Sequence, residues 1–338
     1  MIEINPAKLE EEIDAFKRGV YYKNSNIFNE KTTIKALKEH ASNENVGLKD
    51  IHPAVRLAYL DAKRTMSGIK ETDRDNALRD IETALWKFFI EKPVQKSAPD
   101  FDKEHDKLCK IWCESIKNKE IGTYGKAQKI VNMSFKYLFC CKDADDYKEY
   151  FKFCHMPLDS FTLEWFKREY SSDASNIEWY ENEEKSKLKP RIIIEKIASW
   201  SALEYDAEND PQKALGFYPR EGKKKFYSYL FYLENIRRYI DKKEINHTEE
   251  PKESLSPLEL EFLVWPEIQR HRAAEGFLIG LEENPSDKRK KEIRKNPLVD
   301  KYTDIVNFLF ENGYKDDIIR ILTEKGYKIS ISDKTEKP

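Results

Sequence analysis

Several kinds of residue and segment are scarce in this chain, and each scarcity argues against a class of protein. Only 11 of the 338 residues are glycine, which disfavours a turn-rich β protein and favours helices. No run of about 18 uninterrupted apolar residues occurs, so we expect no membrane-spanning helix. The first residues, Met1 to Pro6, lack the basic start and apolar stretch of a secretory signal, and we therefore expect a cytoplasmic protein.

Cysteine is also sparse, at Cys109, Cys113, Cys140, Cys141 and Cys154. The odd number and the expected compartment argue against a disulfide framework. His105, Cys109 and Cys113 recur at one helical spacing and a Cys-His pair follows at 154–155, so a metal or cluster site is one interpretation. No Cys-x-x-Cys pair is present and buried free cysteine is common, so we expect core packing and no metal.

A large net charge is the third feature that the chain lacks. The formal charge is −2, although 36% of the residues are charged, so the surface is well solvated but not basic overall. This balance lowers the expectation of nucleic-acid binding, but a local basic stripe would suffice for it. The run 286–295 is basic, and we interpret it as a solvated helix face rather than a phosphate contact.

Helical periodicity is what the chain has in abundance. Leu78, Ile81, Leu85 and Phe88 share one helical face, and the same spacing recurs after Asp106 and after both motifs described below. Further stripes occupy 190–203, 225–240, 257–281, 301–313 and 316–325, whereas only 327–332 alternates like a strand. One strand does not make a sheet, so the predicted class is mainly α.

The first motif that carries chemistry runs from Gly122 to Leu138. Its two glycines allow backbone conformations closed to other residues, and an amphipathic helix follows. The N–H groups at that helix start, with Lys126, suit a phosphate, although an ordinary helix start is the alternative. Lys129 lies in the first turns of this helix. Burial would favour its neutral amine, which can attack a sugar carbon, and a surface lysine is the alternative.

The second motif reads His155-Met-Pro-Leu-Asp-Ser160 and places Asp159 thirty residues after Lys129. Pro157 resists helix formation, so Asp159 and Ser160 fall at a helix start, where both residue types cap well. Capping is one interpretation of Asp159. In the other interpretation, its carboxylate stabilises an oxocarbenium-like transition state or orients an attacking water.

Together these motifs resemble the helix-hairpin-helix DNA glycosylases, above all the archaeal 8-oxoguanine branch. That branch has a Gln-Lys pair after the hairpin, as Gln128 and Lys129 are here, and a later Pro-x-Asp. The hairpin here is Gly-x-x-Gly rather than Gly-x-Gly, and Leu158 replaces the usual valine. The segment 257–265 is similar to the late helix of that branch, in which an acidic residue contacts the flipped base and a tryptophan one turn later stacks on it.

The resemblance implies a two-lobed helical fold with a cleft between the lobes. Residues 101–204 would form the helix-hairpin-helix lobe, whereas residues 1–100, which the resemblance does not cover, are expected to form an N-terminal helical region. Residues 205–283 would form a second lobe that completes the base pocket, and 284–338 a C-terminal helical extension. DNA is the implied partner, with no cofactor, no membrane and no obligate protein partner.

The resemblance also implies a role for each matched residue. Lys129 is then the catalytic amine, Asp159 the catalytic carboxylate, and Glu261 with Trp265 the base-binding pair. The expected phosphate contacts are Gly122, Gly125, Lys126 and Gln128. The implied activity is that of a DNA N-glycosylase, which flips a damaged or modified base and cleaves its glycosidic bond. An associated strand cleavage is left open.

A looser likeness concerns the Gly-x-Ala-Gln-Lys-x-x-Asn-Met segment at 125–133 and the His-x-Pro-x-Asp segment, which look like those of bacterial accessory-genome proteins. Some glycosylases of the superfamily defend bacteria by excising modified bases, such as glucosylated hydroxymethylcytosine, from phage DNA. The alternative function is a non-catalytic helical defence protein that binds nucleic acid or protein. It predicts that Lys129 and Asp159 lie apart or in separate ion pairs.

Overall fold

The computed structural model describes residues 2, 4–43, 47–170, 199–205, 227–245, 255–281 and 319–320. Their α-helices are α1 (Pro6–Lys23), α2 (Leu37–Ala41), α3 (Pro53–Ala62), α4 (Glu71–Trp86), α5 (Ala98–Ser115), α6 (Tyr124–Leu138), α7 (Lys148–Phe151), α8 (Ser160–Tyr170), α9 (Tyr229–Ile245) and α10 (Pro257–Leu281). No strand occurs in these ranges, and the prediction of a mainly α chain is confirmed. The predicted segments 301–313 and 327–332 and the basic run 286–295 lie outside them.

Capping residues and prolines explain where several helices begin. The side chain of Asn5 accepts a hydrogen bond from the Ala7 N–H at 3.0 Å, and α1 starts with a proline. Ser97 caps α5 in the same way by accepting from the Asp100 N–H at 3.4 Å, and a proline again lies in the first turn. A proline is tolerated there because the first N–H groups of a helix have no partner within it. The proline-containing stretch 92–97 thus connects the preceding helical segment to α5.

Helix α6 lies at the centre of the first part of the chain. It packs against α3 and α5, and every residue from Gly125 to Leu138 is buried. A helix that is buried on all sides has to pair its polar side chains within the protein. Three lysines of α6 are among these buried residues, so their partners define the chemistry of this region.

The helices before and after residue 100 share one hydrophobic core. This core includes residues from Val20 in α1 to Phe262 in α10. Phe88 and Phe135 pack edge to face with ring centroids 5.5 Å apart, which joins the end of α4 to α6. The predicted boundary at residue 100 therefore falls inside a continuous core.

The chain divides into two compact units, Met1–Val264 and Trp265–Pro338. Helix α10 begins in the first unit and runs on into the second. All the predicted site residues except Trp265 belong to the first unit. The two-lobed arrangement with a cleft stays a prediction. None of the helices described above is both long and apolar enough to cross a membrane.

Candidate active site

The start of α6 is held by the segment 199–205. Thr123 caps the helix by accepting from the Lys126 N–H at 3.4 Å, and its hydroxyl donates to the Ser201 carbonyl at 2.7 Å. The Gly125 N–H donates to the Leu203 carbonyl at 3.0 Å. A Cβ atom at Gly125 would overlap the carbonyl oxygen of Trp200, so this backbone approach requires glycine.

The two hairpin glycines therefore act differently from the prediction. Among the described residues, the glycine with a positive φ is Gly68, and neither Gly122 nor Gly125 uses the left-handed region. A Cβ atom at Gly122 would lie 2.8 Å from the Ile116 carbonyl oxygen. Both positions need glycine because another part of the backbone comes close, and the expectation of special backbone conformations at 122 and 125 was wrong.

The four predicted phosphate contacts are bonded within the chain. The N–H groups of Gly122 and Gly125 donate to backbone carbonyls, and the Lys126 ammonium donates to the Glu120 carbonyl at 2.5 Å. Gln128 is fully buried, and its amide bonds to neighbouring groups of the protein. Burial also lowers the pKa of Lys126. A phosphate role for these residues stays a prediction, and it requires that a ligand displace the existing bonds.

Lys129 and Asp159 meet, as the sequence analysis expects. Lys129 Nζ donates to Asp159 Oδ2 at 2.8 Å, and about a tenth of each side chain is exposed, 10% and 11% respectively. The second carboxylate oxygen, Oδ1, accepts from the N–H groups of Phe161 at 2.8 Å and Thr162 at 3.2 Å. Asp159 thus caps α8 with one oxygen and holds the lysine with the other, so the two interpretations of this residue are compatible.

Two residues that the sequence analysis did not select border this pair. The Lys129 ammonium lies 5.0 Å from the centre of the Trp200 ring, within the range of a cation–π contact. Asp61, at the end of α3, reaches solvent, yet burial still raises the pKa of its carboxyl group. The Asp61 carboxylate accepts a hydrogen bond from the Tyr137 hydroxyl at 2.6 Å. The charges of Lys129 and Asp159 both act on Asp61.

A second ion pair lies two turns further along α6. Lys136 donates to Glu261 Oε2, and both side chains are almost completely buried. The rings of Phe16 and Phe262 lie 4.1 Å and 4.7 Å from the ammonium. Burial raises the pKa of Glu261, and the charge of Lys136 opposes this rise. Lys136 is therefore not a surface residue.

The predicted base-binding pair is divided in this structure. The Glu261 carboxylate faces Lys136 within the first unit. Trp265 follows one turn later on α10, at the first residue of the second unit. The expectation that both contact a flipped base stays a prediction. Glu261 is almost completely buried, so a base can contact it only if the surrounding protein moves aside.

His105 and His155, two of the residues considered for a metal site, belong to a buried polar network. His105 bonds to Asn132 at 2.7 Å, and His155 bonds to Asp102 at 2.7 Å and to the Tyr229 hydroxyl at 2.8 Å. Burial lowers the pKa of both histidines and raises that of the Cys109 thiol, so these groups are held neutral. Within the described ranges, no group of His, Cys, Asp or Glu side chains has a geometry that could hold a metal ion.

Asp102 supplies the charge of this network. Burial disfavours its carboxylate, but hydrogen bonds from His155 and from Arg237 outweigh that effect and hold its pKa well below the usual range. Arg237 binds both carboxylate oxygens, at 2.9 Å and 2.6 Å. The network thus connects α5, α6 and α9, and through His155 it also holds the start of the segment that carries Asp159.

Comparison with protein-family models, with curated protein sequences and with solved structures finds no match to this chain.

Proposed function

We propose that this chain is a DNA N-glycosylase in which Lys129 and Asp159 act on the same deoxyribose. The observation that carries the proposal is the 2.8 Å contact between Lys129 Nζ and Asp159 Oδ2. An amine and a carboxylate that touch can both lie beside one carbon atom that enters between or above them. The partial exposure of both side chains supports access for a sugar.

The proposed reaction needs no cofactor. The Lys129 ammonium first loses a proton to solvent, so that Asp159 keeps its negative charge, and the neutral amine attacks C1′ of the sugar. The C1′–N bond breaks, and the base leaves with the bonding electron pair and takes up one proton. Asp159 stabilises the positive charge that develops on C1′ and O4′. If water attacks instead, Asp159 accepts a proton from it and Lys129 acts by position and charge.

Aromatic groups near the pair support binding of an extruded nucleotide. Base flipping costs a few kcal/mol, which stacking and hydrogen bonds in a pocket recover. Trp200 already contacts the Lys129 ammonium with its ring face. We therefore place the flipped nucleotide on the Trp200 side of Lys129.

The substrate that we propose is DNA with a modified base, and glucosylated hydroxymethylcytosine in phage DNA is the first candidate. The test is to incubate the purified protein with phage DNAs that carry different modified bases and with an 8-oxoguanine duplex. Mass spectrometry of the released small molecules identifies the base. Asp159→Asn should release none while it still binds DNA, and Asp145→Asn, at an exposed aspartate, should behave like the wild type.

Borohydride trapping separates the two attack modes. A covalent protein–DNA adduct that is lost in Lys129→Gln but kept in Lys152→Gln, at an exposed lysine, identifies the amine as the nucleophile. Base release without an adduct identifies water as the nucleophile. Binding to DNA with no base released from any of the substrates would overturn the proposal in favour of a non-catalytic binding protein.

A further inference from the structure

Gln128 and Leu158 directly precede the two residues of the proposed catalytic pair, and they are bonded to each other. The Gln128 side-chain amide donates from Nε2 to the Leu158 carbonyl at 2.8 Å. Its Oε1 accepts from the Leu158 N–H at 3.2 Å. The Gln128 side chain therefore binds both the N–H and the carbonyl group of Leu158. These two bonds fix the distance between α6 and the Leu158 backbone and prevent that backbone from rotating.

The orientation of the Gln128 amide is itself fixed. Its second N–H donates to the Gly125 carbonyl at 2.9 Å. Its oxygen also accepts from Asn132 Nδ2 at 3.0 Å. All four hydrogen-bonding positions of the amide are thus used, and the residue is fully buried. A flipped amide would place donors against donors, so a single orientation is stable.

Asn132 supports the same segment one helical turn later. Its Nδ2 also lies 3.2 Å from the Met156 carbonyl and 3.0 Å from the Tyr229 hydroxyl. The segment from Cys154 to Asp159 has no helical hydrogen bonds of its own before α8. Its buried backbone groups need partners, and Gln128 and Asn132 of α6 supply those of the Leu158 N–H and of the Met156 and Leu158 carbonyls.

We propose that Gln128 is a positioning residue that sets the contact between Lys129 and Asp159 by clamping the backbone of Leu158. This inference rests on the proposed function. The lysine and the clamp are neighbours on one helix, and the aspartate and the clamped residue are neighbours on one segment. The carboxylate is therefore placed relative to the amine by the helix that carries the amine. Phosphate contact is not needed to explain why a glutamine precedes the lysine.

The test compares Gln128→Glu with Gln128→Met in the full chain. Glutamate has the shape of glutamine. When protonated, it can donate to the Leu158 carbonyl and accept from the Leu158 N–H. When ionised, it presents an acceptor oxygen in the place of Nε2 to the carbonyls of Gly125 and Leu158, and the clamp is broken. Burial raises the pKa of a carboxyl group, so the change falls in a measurable pH range.

The expected result is a loss of kcat in Gln128→Glu of about 10²-fold at alkaline pH, the effect of a misplacement of about 1 Å. The ratio to the wild type should recover as the pH falls, while KM for DNA changes little. Gln128→Met should be slow at every pH. Because each value is a ratio to the wild type at the same pH, it cancels the titration of groups that both proteins share, namely Lys129, Asp159, His105, His155 and Tyr229.

Gln95→Glu is the matched control, because Gln95 also donates to a local backbone carbonyl but lies outside this cluster. Its ratio to the wild type should not change with pH. A Gln128→Met variant that is folded by circular dichroism and keeps the wild-type kcat would overturn the inference. A Gln128→Glu ratio that is flat across the pH range would overturn it as well.

A measurement without DNA separates this inference from the proposed function. Amine acylation of each lysine, mapped by mass spectrometry, reports whether Lys129 is still held by Asp159. Gln128→Met should raise the rate at Lys129 severalfold relative to the exposed Lys152 in the same protein. An unchanged relative rate would overturn the clamp even if the wild type proves to be a glycosylase. A raised rate supports the clamp even if no DNA releases a base.

Discussion

The contact between Lys129 and Asp159 predicts a strong energetic coupling that a double-mutant cycle can measure. The perturbations are Lys129→Met, Asp159→Asn and the two together. Asparagine keeps an oxygen that can accept from the N–H groups of Phe161 and Thr162, which Asp159 Oδ1 now caps. The cycle therefore reports on the ion pair and not on the loss of a helix cap, which would cost about 1 kcal/mol.

The magnitude follows from the geometry. Two unit charges at 2.8 Å attract by about 6 kcal/mol at an effective dielectric constant of about 20. Desolvation of both groups removes much of this gain, and a hydrogen bond between charged groups leaves a net value of about 2–3 kcal/mol. Either single variant strands a mostly buried charge and should lose about 3 kcal/mol of unfolding free energy. The double variant strands none and should lose little more than either single one.

Urea unfolding followed by circular dichroism gives the four free energies, and base release gives the four activities. Asp145→Asn is the control and should shift the free energy by less than about 0.5 kcal/mol. We expect the double variant to regain stability relative to the sum of the single variants but to remain inactive. A coupling energy near zero would refute the reasoning, because it would mean that the contact is not made in solution. Wild-type activity in the double variant would refute the catalytic role.

Three further predictions concern the surroundings of the pair. Gly125→Ala should destabilise the protein by about 1–3 kcal/mol in thermal unfolding, because the added Cβ overlaps a backbone carbonyl. Gly19→Ala in α1 should instead stabilise the protein by up to about 1 kcal/mol in the same assay, because its Cβ meets nothing within 4 Å. Burial lowers the pKa of His52 to about 3. Below about pH 6.5 the unfolded state therefore binds a proton at His52 that the folded state does not bind. This difference should cost the wild type about 1.4 kcal/mol of stability between about pH 7.5 and about pH 5.5, and His52→Asn should remove that loss. Lys136→Met should cost about 3–5 kcal/mol in urea unfolding at neutral pH. That cost should shrink as the pH falls, because the raised pKa of Glu261 lets the folded state bind a proton that the unfolded state does not. A cost independent of pH would contradict it.

The helical class was predictable because it depends on local periodicity. Apolar spacing reports which face of a segment is buried, and α4, α5, α6 and α8 each carry such a stripe in their own sequence. The close approach of Trp200 to Gly125 was not predictable in the same way. The two residues are distant in the chain, and the sequence alone does not show whether a glycine is needed for a turn or for the close approach of another backbone.

The Lys129–Asp159 contact was expected from a resemblance and not from spacing alone. Spacing places each residue near a helix start, but it does not specify which helix ends face each other. For the same reason the pairing of Lys136 with Glu261 and the bonds between Gln128 and Leu158 were missed. Both depend on how α6 packs against segments 30 and 125 residues away. A buried helix that carries lysine, glutamine and asparagine was the available signal, since each must find a partner.

The measurement that tests the central claim most directly is single-turnover base release from the most susceptible DNA, with the protein in excess. The account predicts that Asp159→Asn loses at least about 10²-fold in rate, keeps the DNA affinity of the wild type, and differs in this from Asp145→Asn. Release of the base by Asp159→Asn at the wild-type rate would contradict the assignment of this carboxylate to the reacting sugar.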